Sequence, residues 1–285
     1  MTNKDNFYIV YFSRKRVIVL GNKIDLDKYY TPFTIAEHCY RKTIEILGEE
    51  NISDIIEPSA GSGVFLDVIG TDFVVHSYDI APEDNRIQTQ NYLELDIPYK
   101  SNRLILGNPP YGRCLSLAQK FYKKSTELGD YIGFILPISQ LDNNRTFYEF
   151  DLIHSEDLGM QDYSGVMLHC VFNLYKRSPL GLNKKPKSKL DSVQIYRQDK
   201  KDYDNLDFDI RMCYWGNGTA GKILSEGESY SGEYKIKIKE IENKSEIVDF
   251  IKSFDWNGYI SGIAMKRLKQ YHIIDVLQEY FPELT

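Results

Sequence analysis

Apolar positions along the chain fall into short continuous runs separated by longer amphipathic stretches. Four runs stand out: DIIEP (54–58), FVVHSYDI (73–80), RLILGN (103–108) and YIGFILP (131–137). Continuous apolar runs bounded by Gly and Pro suit strands that are covered on both faces. A helix is expected between two of them, over 115–128. Alternating strand and helix signals predict a doubly wound, mainly parallel sheet. VMLHCVFNLYK (166–176) alternates more strictly and reads as an antiparallel strand near the sheet edge.

Upstream, KYYTPFTIAEHCYRKTIEIL repeats apolar residues at helical spacing through Ile35, Cys39, Ile44 and Leu47. Thr31 is the expected N-cap, Pro32 suits the first turn, and Gly48 ends the helix. Before it, FYIVYF and VIVL flank SRKR and suggest a hairpin without a good turn pair. After 176 comes a Pro, Gly and Lys-rich stretch, Lys176–Leu190, which reads as an exposed linker. Beyond it the strand and helix signals are mixed. The expected division is therefore 1–177 and 178–285.

Composition narrows the class. Hydrophobic residues at 42% and charged residues at 27% are ordinary for a globular chain. No apolar run is long enough to span a bilayer and no secretory signal is read, so a cytoplasmic protein without membrane contact is expected. Four scattered cysteines (Cys39, Cys114, Cys170, Cys213) and five histidines lack metal-site spacing, so no metal is expected and the thiols read as buried and free. The net charge of −6 argues against a nucleic-acid partner. Its distribution softens that, because the acidic excess lies in 1–177 and 178–285 is balanced. Lys176, Arg177, Lys184, Lys185, Lys187 and Lys189 form an acid-free cluster able to hold phosphates. The rivals are a solvated linker, or a grip made by Arg211, Lys222, Lys266 and Arg267.

Two motifs carry chemistry. In IIEPSAGSGVFL (55–66) a strand delivers Glu57 and Pro58 into a loop of small residues with Gly61 and Gly63, followed by a helix. Such a loop permits close approach of a ligand at the carboxyl end of a strand. An acid there repels a pyrophosphate and attracts the ammonium of an amino-acid moiety, which favours S-adenosylmethionine over a dinucleotide. Asp79 ends the next strand, where a carboxylate can accept ribose hydroxyls or simply cap a turn. In LILGNPPYG (104–112) a strand delivers Asn-Pro-Pro-Tyr. An aromatic amine is a poor nucleophile because its lone pair is delocalised. The Asn108 oxygen and the Pro109 carbonyl can accept its two N–H bonds and localise that pair. Pro109 and Pro110 stiffen the loop, and Tyr111 offers a ring to a flipped base.

At KYYTP (28–32), EPSAGSG (57–63) and NPPY (108–111) the chain resembles the gamma group of DNA amino-methyltransferases, over roughly residues 28–177. The resemblance implies a seven-stranded methyltransferase sheet followed by a small mixed α/β target-recognition region. It implies S-adenosylmethionine as cofactor, with Tyr30, Thr31, Glu57, Ser59, Ala60, Gly61, Gly63, Asp79, Ile80, Asn91, Tyr92 and Asn108 as its contacts. Thr31 and Glu57 would take the methionine part and Asp79 the ribose. Asn91 stands where the family usually has an aspartate for the cofactor's adenine amino group. Tyr163 is the nearest match to a second aromatic that sandwiches the flipped base. The implied activity is N6-methylation of adenine in double-stranded DNA, as in restriction-modification with a cognate endonuclease. RNA N6-adenine or N2-guanine, DNA cytosine N4 and protein glutamine remain alternative targets, because NPPY-type loops serve all of them. A non-catalytic nucleic-acid-binding module would have no use for the intact loop. Recognition sequence and oligomeric state are left open.

Overall fold

The computed structural model describes residues 29–199, 203–216, 218–260 and 267–284. The expected hairpin at 1–27, Lys28 of the first motif and Lys266 lie outside them. Helix α1 (Phe33–Leu47) leads into β1 (Asp54–Glu57), α2 (Val64–Ile69), β2 (Val75–Asp79), β3 (Gln88–Thr89), β4 (Arg103–Gly107), α3 (Ser116–Thr126), β5 (Tyr131–Pro137), β6 (Asp151–Tyr163) and β7 (Val166–Lys176). The strands form one seven-stranded sheet in the order β3-β2-β1-β4-β5-β7-β6. Strands β1 to β5 are parallel, and β7 runs antiparallel between β5 and β6. This is the doubly wound, mainly parallel sheet that the hydrophobic runs predicted.

The apolar runs are continuous because both faces of the sheet are covered. Ile55, Leu104, Leu106 and Ile135 pack into one core with α1 and α2. Their neighbours Ile56, Ile105, Ile132 and Phe134 pack into a second core with α3. Successive side chains on a strand point to opposite faces, so each run feeds both cores at once. Asp54, at the start of β1, is almost fully buried because the Arg103 guanidinium on neighbouring β4 holds both its oxygens, at 2.9 Å each. Burial alone would raise this carboxyl, but Arg103 and Lys100 together hold it below its usual range.

Two expectations need correction. Thr31 does not cap α1: Pro32 occupies the cap position without a side-chain bond, and the Thr31 hydroxyl turns to Asn108 instead. The 166–176 strand is antiparallel and near the sheet edge, as expected; the edge strand itself is β6, whose half-exposed residues mix charge and apolar side chains too irregularly to announce a strand. Cys114 is exposed, whereas Cys39, Cys170 and Cys213 are buried.

After β7 the chain builds a second, three-stranded antiparallel sheet from β8 (Val193–Arg197), β9 (Ile210–Cys213) and β10 (Glu233–Ile238), in the order β8-β10-β9. Helices α4 (Lys244–Ser253), α5 (Trp256–Tyr259) and α6 (Gln270–Tyr280) complete it. Its core, with Met212, Ile236, Trp256 and Leu277, is distinct from the two cores of the large sheet. No helix among the described residues is long and apolar enough to cross a membrane.

The join between the two sheets is held at its ends. Arg177 reaches Asp130 and the carbonyls of Thr126 and Gly129, and stacks on Phe150. It is therefore an internal brace and leaves the proposed phosphate-binding cluster. Leu190 is buried at the other end. Between these anchors Lys184, Lys185, Lys187 and Lys189 are exposed. Limited trypsin digestion is expected to cut first, among the described residues, at Lys184 or Lys189. First cleavage within the β6–β7 hairpin, read by mass spectrometry, would contradict this.

Candidate active site at the carboxyl edge of the sheet

The site follows from the strand order. β1 is hydrogen-bonded in parallel to β2 on one side and β4 on the other, with Glu57 opposite Ser77 and Ile56 opposite Ile105. Parallel neighbours end on the same edge, so Glu57, Asp79 and Asn108 meet there although they are far apart in sequence. The chain reverses its winding at β1 and β4, which opens a crevice outside their carboxyl ends. A cavity of about 340 Å³ lies there.

Of the residues singled out from the sequence, Tyr30, Thr31, Glu57, Ser59, Ala60, Gly61, Asp79, Ile80, Asn91, Tyr92, Asn108 and Pro110 line this cavity. Gly63, Pro109, Tyr111 and Tyr163 do not. Gly63 instead starts α2 in the left-handed region, at φ 84°. Sequence reasoning missed Tyr29, Gln90, Leu117 and Phe121. The last two come from the apolar face of α3, a signal that resembled ordinary core.

The loop after β1 is fixed by its own backbone. Gly61 sits at φ 53°, and a Cβ there would come within 3.2 Å of the Tyr30 ring. The Gly61 N–H donates to Asp79 Oδ2 at 2.9 Å, and Glu83 N–H donates to the Gly61 carbonyl at 3.0 Å. The Tyr30 hydroxyl closes the ring of contacts by donating to Glu83. Burial, and then that carboxylate, push the Tyr30 hydroxyl up to about 12. Asp79 also accepts from Ala81 N–H at 2.8 Å, so the turn-capping role considered for it is realised. Beside it Ile80 is 53% exposed, an apolar face at the cavity mouth.

Glu57 is the electrostatic centre. It is 2% exposed, and its Oε2 has no hydrogen-bond partner among the described residues. Burial raises its carboxyl well above the usual range, and the nearby charges of Asp79 and Asp67 raise it further. A buried carboxylate oxygen without a donor is costly. A cationic or N–H-bearing ligand group in the cavity would relieve that cost.

Asn108 is oriented by two acceptors. Its Nδ2 donates to the Thr31 hydroxyl at 3.1 Å and to the Tyr29 carbonyl at 3.3 Å. A backbone carbonyl only accepts, so the amide must turn its NH₂ towards residues 29 and 31. Its oxygen is left without a protein donor among the described residues. Ser59 Oγ donates to the Asn108 carbonyl at 3.1 Å and ties the two motifs together.

Other candidate residues are occupied. Asn91 accepts from Leu93 N–H at 3.1 Å and donates to Glu94 at 2.8 Å, so both ends of its amide serve its own turn. Tyr92 donates or accepts at Ser125 and stacks on Phe121, with centroids 5.3 Å apart. Tyr111 turns inward, its hydroxyl 3.6 Å from Cys170 Sγ, and its carbonyl accepts the first N–H groups of α3. Tyr163 is wholly buried and also lies by Cys170. Neither ring faces the cavity, so the expected pair of base-stacking aromatics is not arranged here. Apolar packing around Cys170 holds both rings in the core.

No protein-family model matches the chain, and no curated protein does. Several solved structures are similar to part of it. A candidate RNA methyltransferase from Pyrococcus horikoshii is 14% identical, covering 55% of this chain and 91% of its own, with a TM-score of 0.44. The 23S rRNA methyltransferase ErmE is 13% identical over 55% of this chain and 72% of its own, at 0.40. The M protein of the type I restriction enzyme EcoKI is 14% identical over 57% of this chain and 47% of its own, at 0.39. Likenesses this remote say nothing of substrate, which rests on the residues themselves.

The raised carboxyl of Glu57 gives a pH signature. Its folded value is raised, so its contribution to stability is fully present below the unfolded value of about 4.3 and is lost as pH rises towards the folded value. Glu57→Gln should therefore raise the Tm of the ligand-free protein, with a gain that grows from about pH 4.3 upward. A Tm difference that is flat with pH would refute this account of the carboxyl.

Proposed function

We propose that the chain is an S-adenosylmethionine-dependent methyltransferase acting on the exocyclic amino group of a nucleobase, with adenine N6 in double-stranded DNA as its target. The observation that carries this reading is the Asn108 amide. Its donors are spent on Thr31 and Tyr29, and its acceptor is free beside an acid-lined cavity.

The residues fit the cofactor by charge and shape. Glu57 Oε2, buried and unpartnered, suits its ammonium. The Gly61 turn, the Asp79 carboxylate and exposed Ile80 suit its ribose and adenine. When bound, this cofactor supplies an electrophilic methyl group. Asn108 Oδ1 and the Pro109 carbonyl then accept the two N–H bonds of the target amine and draw its lone pair out of conjugation. Held this way, the amine would present its lone pair to the methyl group that the cofactor supplies, and its surplus proton would leave to water.

Adenine in DNA is preferred over RNA or protein because YYTP stands upstream of the Gly-rich loop and roughly 100 residues follow the catalytic part, on the pattern of the gamma-group enzymes. Residues 178–285 are then the target-recognition region. Calorimetry should give micromolar binding of S-adenosylmethionine and none of NAD. Transfer of tritium from labelled cofactor to duplex DNA, followed by nucleoside digestion, should yield N6-methyladenine. Label appearing only in RNA or protein would overturn the substrate.

Asn108→Ala should leave cofactor binding nearly intact and lower turnover at least about a hundredfold. Near-normal turnover would remove Asn108 from its role.

Thr31 provides a finer test. As the hydroxyl that orients Asn108, it should act on kcat. Thr31→Val keeps the shape but loses the acceptor, and should lower kcat about tenfold, the scale of one hydrogen bond. Thr31→Ser should restore it. If only the cofactor's Kd moves, Thr31 is a cofactor contact and not a positioning residue.

A further inference from the structure

Several surface cations are spoken for. Arg211 reaches Glu233 and the Glu228 carbonyl, and Lys222 reaches Glu228. These two therefore leave the alternative phosphate grip considered from the sequence. Arg267 and Lys269 differ from them. Both are exposed, and neither has a carboxylate partner among the described residues. Each lies over an aromatic ring, Arg267 over Tyr214 at 5.5 Å and Lys269 over Tyr271 at 5.4 Å. A ring holds a cation in place without neutralising its charge or consuming its outward donors.

Arg267, Lys269, Tyr271 and Ser188 line one groove of about 820 Å³, which Arg197 and its ion-pair partner Asp199 also line. Ser188 lies between the exposed Lys187 and Lys189, so the basic linker meets this groove at that point. Its course is fixed by Arg145, which donates to the Lys187 carbonyl at 2.6 Å, pairs with Asp275 on α6 and stacks on Tyr271 at 4.7 Å. Arg145 comes from the segment that follows the carboxyl end of β5. Asn108 follows the carboxyl end of β4, its parallel neighbour. Groove and cavity are therefore joined to the same edge of the large sheet.

We propose that this groove, lined by Arg267 and Lys269 and flanked at Ser188 by Lys187 and Lys189, grips the phosphodiester backbone of the nucleic acid whose base enters the cavity. The proposal rests on the functional reading above and adds the surface that holds the substrate. The linker and the C-terminal cations, rivals in the sequence, form one site. Arg145 acts as its strut, and its own charge is spent on Asp275. The contacts are to phosphates, so they supply affinity and register without reading sequence.

The test is the salt dependence of binding by the full-length protein to a fluorescent DNA duplex and to single-stranded RNA of matching sequence. The variants are Arg267→Gln with Lys269→Gln, and Lys187→Gln with Lys189→Gln. Each pair should flatten the slope of log K against log salt by up to about 1.8, at about 0.9 per duplex phosphate contact. Binding should weaken alike for all duplex sequences, while the Kd for S-adenosylmethionine stays unchanged. Circular dichroism and Tm of each variant guard against misfolding. If the wild-type protein methylates DNA but both variants keep its slope, the groove is not the grip and the functional reading survives. If it binds neither DNA nor RNA yet transfers methyl to another substrate, both fall. A larger loss of slope on RNA than on DNA would assign the groove to RNA.

Discussion

The site depends on one constraint: β1 lies buried between two parallel neighbours. A strand covered on both faces and paired on both edges cannot shift without exposing apolar surface and breaking two ladders. Its carboxyl end is therefore a fixed point. Because β2 and β4 run the same way, their last residues arrive at that point too. Glu57, Asp79 and Asn108 are held near one another by main-chain geometry, before any side-chain contact is considered. The bidentate Arg103–Asp54 pair fastens β1 to β4 at the opposite end.

On this frame the polar groups divide into those already satisfied and those left open. Asp79 is bound to two N–H groups, the Asn91 amide is bound at both ends, and the Asn108 amide has used its donors. Among the described residues, the buried Glu57 Oε2 has no partner, and the Asn108 amide oxygen meets no protein donor. Buried polar atoms normally find partners, so those that do not are informative. Here the open groups are acceptors, which suits a ligand rich in positive charge and N–H bonds. The same logic sorts the surface: cations paired with carboxylates brace the fold, while Arg267 and Lys269, backed by aromatic rings and without a carboxylate partner among the described residues, keep their charge available.

The two sheets have separate cores but are coupled through few, directional contacts. Arg145 supplies one of them, reaching Asp275, Tyr271 and the Lys187 carbonyl, while Arg177 fastens the start of the linker to Asp130, Thr126 and Phe150 of the large-sheet part; both combine a carboxylate, a backbone carbonyl and an aromatic face. A guanidinium can do this because its donors lie in a plane and its faces remain free to stack. Such contacts fix direction while burying little apolar surface.

Much of the site was legible in the sequence because strand ends are marked by composition. Apolar runs stop at Glu57-Pro58, Asp79 and Asn108-Pro109, and continuous rather than alternating hydrophobicity betrayed the two-sided burial of β1, β4 and β5. The sequence alone thus determined the sheet class, the small-residue loop and the residues at the crevice. It could not determine orientation. Whether Thr31 caps a helix or holds Asn108, whether Tyr111 and Tyr163 face a base or the Cys170 thiol, and whether Arg177 meets phosphate or Asp130 all depend on neighbours far along the chain. The β6 edge was also missed, because a half-exposed strand lacks a strong pattern. Local periodicity records which residues are buried. Only the packing of distant elements decides which partner each polar group meets, since a polar group is satisfied by whichever donor or acceptor the fold brings within about 3 Å.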